Sequence, residues 1–387
     1  MTELRIGVIG SGGRGRLARH AHQPGAGARI VACCDRSAAT LEQNRAWYGD
    51  GIFTTDDHRA LLAQPLDAVF VCTPDYLHEE HALAALGAVR AVYLEKPMAI
   101  TIAGCDRILR AAADAGARLY LGHNMRHMAF VRQMKHLIDH GAIGTVKAAW
   151  CRHFVGHGGD YYFKDWHADR RLTTGLLLQK AVHDIDVLHW LCGGYTRRVN
   201  ALGGLTLYDQ IADRHAPDER GDPAASLAHW PPLSQRGMNP RIDVEDLSMM
   251  QMQLDHGVFA SYQQCHYTPD YWRNYTIIGT EGRMENIGNV AAGTVIKVWT
   301  TRRQEFGDAD HSYPIEVDSG AHGGADARIV AEFLRFARDG GAVSTSPIAA
   351  RHAVAAGCLA TESLRDGGTP REVPPIDPAV LAYFAQP

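Results

Sequence analysis

Lys96 has the chemistry and the position in the sequence needed for proton transfer. It follows the apolar run Ala91–Leu94 and Glu95, and it precedes Pro97, which keeps the lysine in extended geometry and outside any following helix. An amine at the end of a buried strand can exchange protons near neutral pH when burial or a neighbouring cation lowers its pKa. The alternative interpretation is a surface lysine paired with Glu95.

A second set of polar side chains lies on the predicted helix 175–193, which ends at a double glycine. Gln179, His183 and Asp186 stand at i, i+4 and i+7 and therefore share a face, which Lys180 adjoins. A polar stripe on an otherwise apolar helix must meet a ligand, a metal, water or another polar group. No further ligand pair with metal-binding spacing accompanies His183 and Asp186, so we predict no metal site.

A glycine-rich turn follows the first apolar run of the chain. Gly10, Gly12 and Gly15 form a Gly-x-Gly-x-x-Gly pattern after residues 4–9. In a dinucleotide site the first glycine permits a tight turn, the second lets the backbone approach a pyrophosphate, and the third lets a helix pack closely on the strand. The pattern predicts a phosphate-binding turn; a glycine-rich surface loop is the alternative.

The end of the second predicted strand supports the dinucleotide interpretation. Asp35 follows the apolar run 28–34 and lies 20 residues after Gly15, where such sites carry an acid for the ribose hydroxyls. A carboxylate here repels a 2′-phosphate and therefore favours NAD. Arg36 could pair with such a phosphate, which leaves NADP open as the less favoured cofactor.

Aromatic and basic residues precede the polar helix. Rings of this kind stack on the C–H faces of sugars, and Arg and His bond sugar hydroxyls; ordinary packing is the alternative. The residues are Tyr161, Tyr162, Trp166, His167 and Arg170.

The elements that must position these residues fall into two patterns. Strands and helices alternate through residue 122, which predicts an α/β domain with a doubly wound parallel sheet whose strand ends collect ligands. From 123 to 387 the pattern predicts an α+β domain on a mostly antiparallel sheet, with hairpins at 247–266 and 275–287 and helices within 326–364. Residues 206–242 form a long connection that fits a lid, an oligomer arm or a disordered insertion.

Composition limits the function classes. The chain has 387 residues, a formal charge of -4, 21% charged and 46% hydrophobic residues, which describe a soluble protein of about two domains. Lys and Arg form no basic run, so we expect neither nucleic acid nor membrane as a partner. The first strand begins within a few residues of Met1, without a signal sequence, and the eight cysteines form no C-x-x-C pair. We therefore expect a cytoplasmic protein with reduced thiols.

The chain resembles the glucose-fructose oxidoreductase and inositol dehydrogenase family, also called Gfo/Idh/MocA. The resemblance rests on the glycine turn, on Thr73–His78, on Glu95-Lys96-Pro97, and on Gly175 with His183–Asp186. It implies a Rossmann domain followed by a domain built on a large open sheet that carries the active site and often an oligomer interface, hence a homo-oligomer.

The resemblance also implies roles for individual residues. Lys96 becomes the catalytic lysine and His183 the proton acceptor, while Gln179 replaces an aspartate that many members carry four residues before the histidine. The implied substrate-binding residues are Lys96, Trp166, His167, Arg170, Gln179, Lys180 and His183. The implied cofactor-binding residues are Gly10, Ser11, Gly12, Gly13, Arg14, Gly15, Asp35, Arg36, Thr73, Pro74, His78, Glu95, Lys96 and Asn124.

The expected activity is therefore hydride transfer between a nicotinamide and a secondary alcohol of a sugar, a glycoside or a cyclitol. One alternative is an NAD-dependent glycoside hydrolase that oxidises a sugar transiently and cleaves by elimination. A second alternative, from another class, is a regulator that senses a sugar or nucleotide without turnover.

Overall fold

A computed structural model describes residues 3–219, 221, 224–316, 318 and 320–385. The described chain forms two units. The first comprises the described residues of Met1–His127, Gly320–Arg351 and Pro375–Pro387, and the second those of Met128–Ser319 and His352–Pro374.

The first unit is built on a six-stranded parallel sheet. Its strands are β1 (Leu4–Ile9), β2 (Ala28–Cys34), β3 (Phe53–Thr55), β4 (Ala68–Val71), β5 (Ala91–Leu94) and β6 (Arg118–Leu121). They pair in the order β3-β2-β1-β4-β5-β6. Because the chain runs outward in opposite directions from β1 and β4, the ends of these two strands form the switch point at which ligands bind in such sheets.

Helices cross between these strands where the sequence supplies caps. They are α1 (Ala38–Tyr48), α2 (His58–Leu62), α3 (His78–Leu86) and α4 (Ile102–Ala115). Ser37 accepts a hydrogen bond from the Thr40 N–H at 3.2 Å, and Thr101 accepts one from Gly104 at 3.0 Å. Each hydroxyl satisfies an N–H group that has no partner within its helix. The glycine turn leads into a 3₁₀ helix, Gly13–Ala21.

The second unit carries helices against a nine-stranded sheet. The helices are α5 (Ala129–Asp139), α6 (Gly158–Tyr162), α7 (Arg170–Thr173), α8 (Leu176–Gln179) and α9 (Val182–Cys192). The strands are β7 (Val146–Val155), β8 (Thr196–Gly204), β9 (Leu247–Leu254), β10 (Phe259–Cys265), β11 (Tyr271–Gly279), β12 (Arg283–Ile287), β13 (Val295–Trp299), β14 (His311–Pro314) and β15 (Arg371–Glu372). Their order is β14-β13-β12-β11-β7-β10-β9-β8-β15, and only the β7–β10 pairing of these described strands is parallel.

The two faces of this sheet differ in exposure, because successive side chains of a strand point to opposite faces. Ala149, Cys151 and His153 of β7 are buried. On the other face, Trp150 is 45% exposed and Phe259 is 62% exposed. The second face therefore presents large apolar side chains to solvent.

The last helices are α10 (Ala325–Asp339), α11 (Pro347–Arg365) and α12 (Pro378–Phe384). In the first unit, Phe333 of α10 packs on Phe70, Tyr93 and Tyr120, with ring centroids 4.9, 5.5 and 5.7 Å apart. These three residues come from β4, β5 and β6, so α10 covers one face of the parallel sheet.

The described part of the 206–242 segment is docked on the second unit. Tyr208 stacks on Phe163 at 4.4 Å, and Met238 belongs to the same buried cluster. His229 lies 2.6 Å from the buried carboxylate of Asp160. Residues 220, 222 and 223 lie outside the described residues. The segment thus adds a small core of its own to the unit.

Both predicted hairpins are confirmed as antiparallel pairs, β9 with β10 and β11 with β12. The predicted continuous helix 175–193 is wrong at one point. Helix α8 ends at Gln179 and α9 begins at Val182, and the N–H groups of both Lys180 and Ala181 bond to the Leu176 carbonyl. The bond from Ala181 spans five residues and so widens this turn, which a sequence with helical propensity throughout does not reveal. No helix in the described part of the chain has the length and apolar character needed to cross a membrane.

Candidate functional site

The glycine turn lies at the switch point of the parallel sheet. Gly10 has φ +79°, and a Cβ placed on it would lie 2.8 Å from the backbone of Cys72, which follows β4. A Cβ on Gly15 would lie 2.0 Å from the Gly10 carbonyl oxygen. Side chains at these two positions would therefore collide with the backbone, whereas a Cβ on Gly13 would meet no atom within 4 Å. Ser11 is buried and accepts a hydrogen bond from Asn44 at 2.5 Å.

Asp35 fixes this turn from the end of β2. One carboxylate oxygen accepts a hydrogen bond from the Gly12 N–H at 2.9 Å, and the other accepts one from the Ser37 N–H at 2.9 Å. The neighbouring Arg36 is exposed. The acid therefore positions the glycine backbone and retains lone pairs for a further donor.

Arg14 joins the turn to two distant carboxylates of the same unit. Its guanidinium lies 2.7 Å from Glu95 and 2.6 Å from Asp326 of α10. Burial alone would raise the pKa of Asp326, but hydrogen bonds from His322 and Arg14 hold that pKa well below its usual range. The guanidinium thus pairs with two buried acids and compensates part of their combined charge.

The backbone of Lys96 is held from both sides. Its N–H donates to the carboxylate of the preceding residue, Glu95, at 3.0 Å, and the Lys96–Pro97 peptide is cis. The Pro97 carbonyl lies 2.6 Å from Nδ1 of His78, whose Nε2 lies 2.8 Å from the Thr73 carbonyl. The turn after β5 is therefore tied to the turn after β4.

Thr73, Pro74 and Asn124 also fall at strand ends of the first unit. The Thr73 hydroxyl lies 3.1 Å from Nδ1 of His81, and the Pro74 carbonyl accepts a bond from a following turn. Asn124 is buried, and its amide donates to Asp326 at 3.1 Å. The buried Asn124 Oδ1 has no hydrogen-bond partner among the described residues. It is thus available to accept a donor from a ligand.

In the second unit, the helix that carries His183 is anchored by the adjacent residue, Asp184. The Asp184 carboxylate is fully buried and lies 2.9 Å from Arg273 Nε and 3.2 Å from His153 Nδ1, and it accepts a hydrogen bond from the Tyr275 hydroxyl. Burial alone would raise the pKa of Asp184, but Arg273 and His153 hold it well below its usual range. Burial and Arg273 lower the pKa of His153 to about 3.

This anchor fixes α9 on the sheet. Asp184 and Asp186 are buried, His183 is half-buried, and Gln179, which precedes the break at Lys180–Ala181, is also buried. Gln179 and His183 therefore lie on consecutive short helices and not on one continuous helix. Gly193 ends α9 in the left-handed conformation, with φ +76°.

Lys180 lies among aromatic rings of the same unit. Its Nζ is 5.5 Å from the centre of the Tyr162 ring and 5.9 Å from that of Tyr271. Burial lowers the pKa of this amine. An ammonium over two ring faces is attracted by their quadrupoles.

The predicted sugar-contact residues make contacts with each other and with two acids. The rings of Trp166 and His167 stack at 3.8 Å, and His167 Nδ1 lies 2.7 Å from Asp165. Arg170 donates to the Asp243 carbonyl at 2.6 Å. The Arg170 side chain is partly exposed, and its guanidinium contacts Asp243 in a neighbouring loop.

In the first unit, several predicted site residues are joined by hydrogen bonds around the glycine turn and Lys96. Ser11, Arg14, Glu95, His78 and Asp35 support the glycine turn and Lys96 through hydrogen bonds. In the described part of the chain, no cluster of three or more His, Cys, Asp or Glu side chains is arranged to hold a metal ion.

The parallel order β3-β2-β1-β4-β5-β6, with a glycine turn at its switch point, defines a dinucleotide-binding Rossmann protein. Residues 4–123 match the model of the Gfo/Idh/MocA oxidoreductase family with its NAD-binding Rossmann fold, and residues 131–285 match the model of that family's C-terminal domain. The chain belongs to the Gfo/Idh/MocA oxidoreductase family, as predicted.

Individual relatives agree with this assignment. The inositol 2-dehydrogenase of Klebsiella pneumoniae subsp. pneumoniae is 34% identical over 199 residues, covering 51% of this chain and 56% of the relative. That of Burkholderia ambifaria is 32% identical over 246 residues, covering 62% of this chain and 66% of the relative. The chain thus aligns with less than two thirds of the length of either relative.

Solved structures share the fold. Levoglucosan dehydrogenase in complex with NADH and levoglucosan superimposes with a TM-score of 0.77, covering 97% of this chain and 100% of that one, at 19% sequence identity. The predicted fold class, a parallel Rossmann sheet together with a large, mostly antiparallel sheet, is confirmed.

Several supporting residues were not predicted from the sequence. Asp184, Arg273, His153 and Tyr275 form the buried anchor of α9, and Asp326 holds Arg14. The sequence did hold one signal for Asp184, since this acidic residue lies within an otherwise apolar helical pattern. The pairing of Arg14 with a residue 312 positions away leaves no local signal.

Proposed function

We propose that this protein is an NAD-dependent dehydrogenase that transfers hydride between the nicotinamide and a secondary alcohol of a sugar, a glycoside or a cyclitol. The observation that carries the proposal is the fixed Lys96 turn at the end of β5. Glu95 and His78 hold its backbone, so the amine is presented from a rigid strand end of a dinucleotide-binding sheet.

The residues of the first unit fit a dinucleotide. A side chain at Gly10 or Gly15 would occupy the turn, the space beside Gly13 is open, and Asn124 offers a buried acceptor. When bound, NAD supplies the hydride acceptor. Gly10–Gly15 would hold its pyrophosphate, and Asp35 would bind the ribose hydroxyls.

In the proposed reaction, His183 takes the proton from the reacting hydroxyl, and Lys96 donates a hydrogen bond to the same oxygen. Removal of the proton raises the electron density on oxygen and so favours loss of hydride from the carbon. Gln179 cannot accept the proton as an aspartate would, and it orients a substrate hydroxyl instead. The Asp184 anchor keeps His183 in place during this step.

The test is an incubation with NAD and a panel of sugars, cyclitols and aryl glycosides. We expect net NADH absorbance with at least one sugar or cyclitol. Release of the aglycone without net NADH would indicate the elimination mechanism of a glycoside hydrolase. Binding of NAD and sugar with no product by mass spectrometry would indicate a sensing protein.

We propose NAD over NADP because of the Asp35 carboxylate. Asp35→Ala should raise the Kd for NAD about 10- to 100-fold, since it removes charge-assisted hydrogen bonds to the ribose and the support of the Gly12 N–H. The ratio of NADP to NAD affinity should rise. Calorimetric titration of both cofactors measures the effect. Asp56→Ala, at an exposed aspartate close to the same sheet edge, is the matched control and should leave both affinities unchanged. A wild-type preference for NADP would contradict the proposal.

We propose that the exposed face of the nine-stranded sheet mediates homo-oligomer formation. Leu202 is 59% exposed and Met249 is 47% exposed beside Trp150 and Phe259, and contiguous apolar surface of this kind marks protein interfaces. Phe259→Glu should therefore convert a dimer or tetramer to the monomer in light scattering. Phe306→Glu changes a phenylalanine that is 85% exposed outside this face and should leave the mass unchanged. A monomeric wild type would contradict the proposal.

The thiols support a cytoplasmic location. All eight cysteines lie in the described residues and are thiols, seven of them buried. Reduced cysteines are typical of a reducing compartment. We therefore propose that the dehydrogenase acts in the cytoplasm on a small carbohydrate.

A further inference from the structure

The ammonium of Lys180 has ring faces beside it but no counter-ion. Nζ lies 5.5 Å from the Tyr162 ring centre and 5.9 Å from the Tyr271 ring centre. Among the described residues, no carboxylate lies within ion-pair distance of Nζ, and no protein acceptor lies within hydrogen-bond distance. Ring faces attract the charge but leave the three N–H donors without acceptors.

His266 lies against the same ring, Tyr162, and also lacks polar partners. Its side chain is fully buried, and neither ring nitrogen has a hydrogen-bond partner among the described residues. The ring packs edge-on against Tyr162 at 5.2 Å and against Phe163 at 6.0 Å. Burial lowers the pKa of His266 well below its usual value, with His153 and Lys180 adding to the effect. The imidazole is therefore neutral and offers one N–H donor and one acceptor.

The nearest acid of the unit, Asp184, already interacts with other side chains. The Asp184 carboxylate lies 2.9 Å from Arg273 Nε and 3.2 Å from His153 Nδ1, and it accepts a hydrogen bond from Tyr275, so it compensates the charge of Arg273. His153 is neutral because its pKa is about 3. Lys180 is half-buried, and its positive charge has no acid at ion-pair distance among the described residues. Buried polar groups and charges without partners are costly, which points to a ligand that completes them.

We propose that Lys180 and His266 bind a carboxylate of the substrate, so that the substrate class is a sugar acid and not a neutral sugar. The carboxylate accepts hydrogen bonds from the Lys180 ammonium and from the His266 N–H, and Tyr162, which contacts both residues, packs on the C–H face of the sugar ring. A neutral hydroxyl would accept hydrogen bonds from Lys180 and His266 but would leave the positive charge of Lys180 uncompensated. A phosphate monoester carries more charge than one ammonium and a neutral imidazole compensate. This inference rests on the proposed carbohydrate dehydrogenase.

The test compares the kcat/KM for sugar acids with that for the corresponding neutral sugars, measured on the full protein with NAD. The probes are D-glucuronate against D-glucose and D-galacturonate against D-galactose, with D-glucose 6-phosphate as the phosphate probe. We expect kcat/KM to be at least tenfold higher for one acid than for the corresponding neutral sugar. Lys180→Met should lower that ratio at least tenfold, because the methionine keeps the length of the side chain and removes the charge. His266→Phe keeps a ring and should lower the ratio in the same direction.

Lys147→Met removes the charge of an exposed lysine of the same unit and should leave the ratio unchanged. Calorimetric titration of the NADH complex measures binding of the acids independently of turnover. Lys180-dependent binding of an acid without NADH formation by the oxidised complex would support this inference and contradict the proposed dehydrogenase. Oxidation of neutral sugars with no preference for acids would overturn the inference and leave the dehydrogenase in place. Binding of neither acid, or a preference for the phosphate, would also overturn it.

Discussion

Replacing Lys96 with alanine is expected to lower kcat about 10²- to 10³-fold, the loss typical of removing one hydrogen-bond donor aimed at the charge that develops on the reacting oxygen. The affinity for NAD should stay within about threefold of wild type. The backbone N–H of Lys96, and not its side chain, donates the hydrogen bond to the Glu95 carboxylate, so the turn should survive the substitution. Steady-state kinetics with the best sugar from the panel gives kcat, and calorimetric titration gives the Kd for NAD.

Two further variants separate the chemical role of Lys96 from its charge. Lys96→Arg keeps a cation but presents it as a longer, planar guanidinium, so the hydrogen bond to the reacting oxygen is misplaced and we expect kcat to fall strongly. His183→Ala should also lose turnover, with substrate binding measured separately. Lys147→Ala is the matched surface control and should retain full activity. Full activity of Lys96→Ala would remove the lysine from the mechanism.

Replacing Asp184 with alanine should destabilise the protein by about 3–5 kcal/mol, the usual result of removing one partner of a buried ion pair. The substitution leaves the Arg273 guanidinium, which is almost fully buried, without its carboxylate, and it also removes the acceptor of the Tyr275 hydroxyl. Activity should fall as well, because His183 lies on the same helix. The shift in the midpoint of thermal unfolding and kcat on folded protein measure the two effects.

The partner variants test the pairing itself. Arg273→Leu combined with Asp184→Leu should be more stable than either single variant, since both charges leave the interior together. Additive losses would show that the two residues do not interact. An unchanged unfolding midpoint in Asp184→Ala would contradict the anchor.

The same cluster should make stability fall in acid. The folded pKa of Asp184 lies below its unfolded value, so the stabilisation is present above about pH 4 and declines as the pH falls through the folded pKa. The pKa of His153 is lowered to about 3. Below about pH 6.5 the unfolded chain therefore binds a proton at this residue that the folded chain does not bind, and stability falls. Both groups therefore act in the same direction.

Much of the fold could be predicted because it depends on local pattern. The apolar runs of β1, β2 and β5 and the capped helix α4 follow directly from hydrophobicity and turn residues. The three-residue strand β3 was not predicted, because so short a segment has no periodicity. The amphipathic pattern of α10 predicted a helix but could not show that its apolar face covers the parallel sheet of the first unit.

The candidate site was likewise predicted only in part. The glycine turn, Asp35 and Lys96 were predicted from spacing, because their positions follow strand ends. The surroundings of Lys180 were not predicted, since Tyr271 and His266 come close to it only through the pairing of β10 and β11 with β7. Long-range contacts of this kind have no signature in neighbouring residues.

The aromatic contact of Phe333 with the first sheet has a consequence for biosynthesis. The helix that closes this sheet is made only after more than 300 residues have left the ribosome. Until then the faces of Phe70, Tyr93 and Tyr120 stay uncovered, and Arg14 lacks Asp326. The nucleotide-binding unit therefore cannot finish folding before the second unit has been translated.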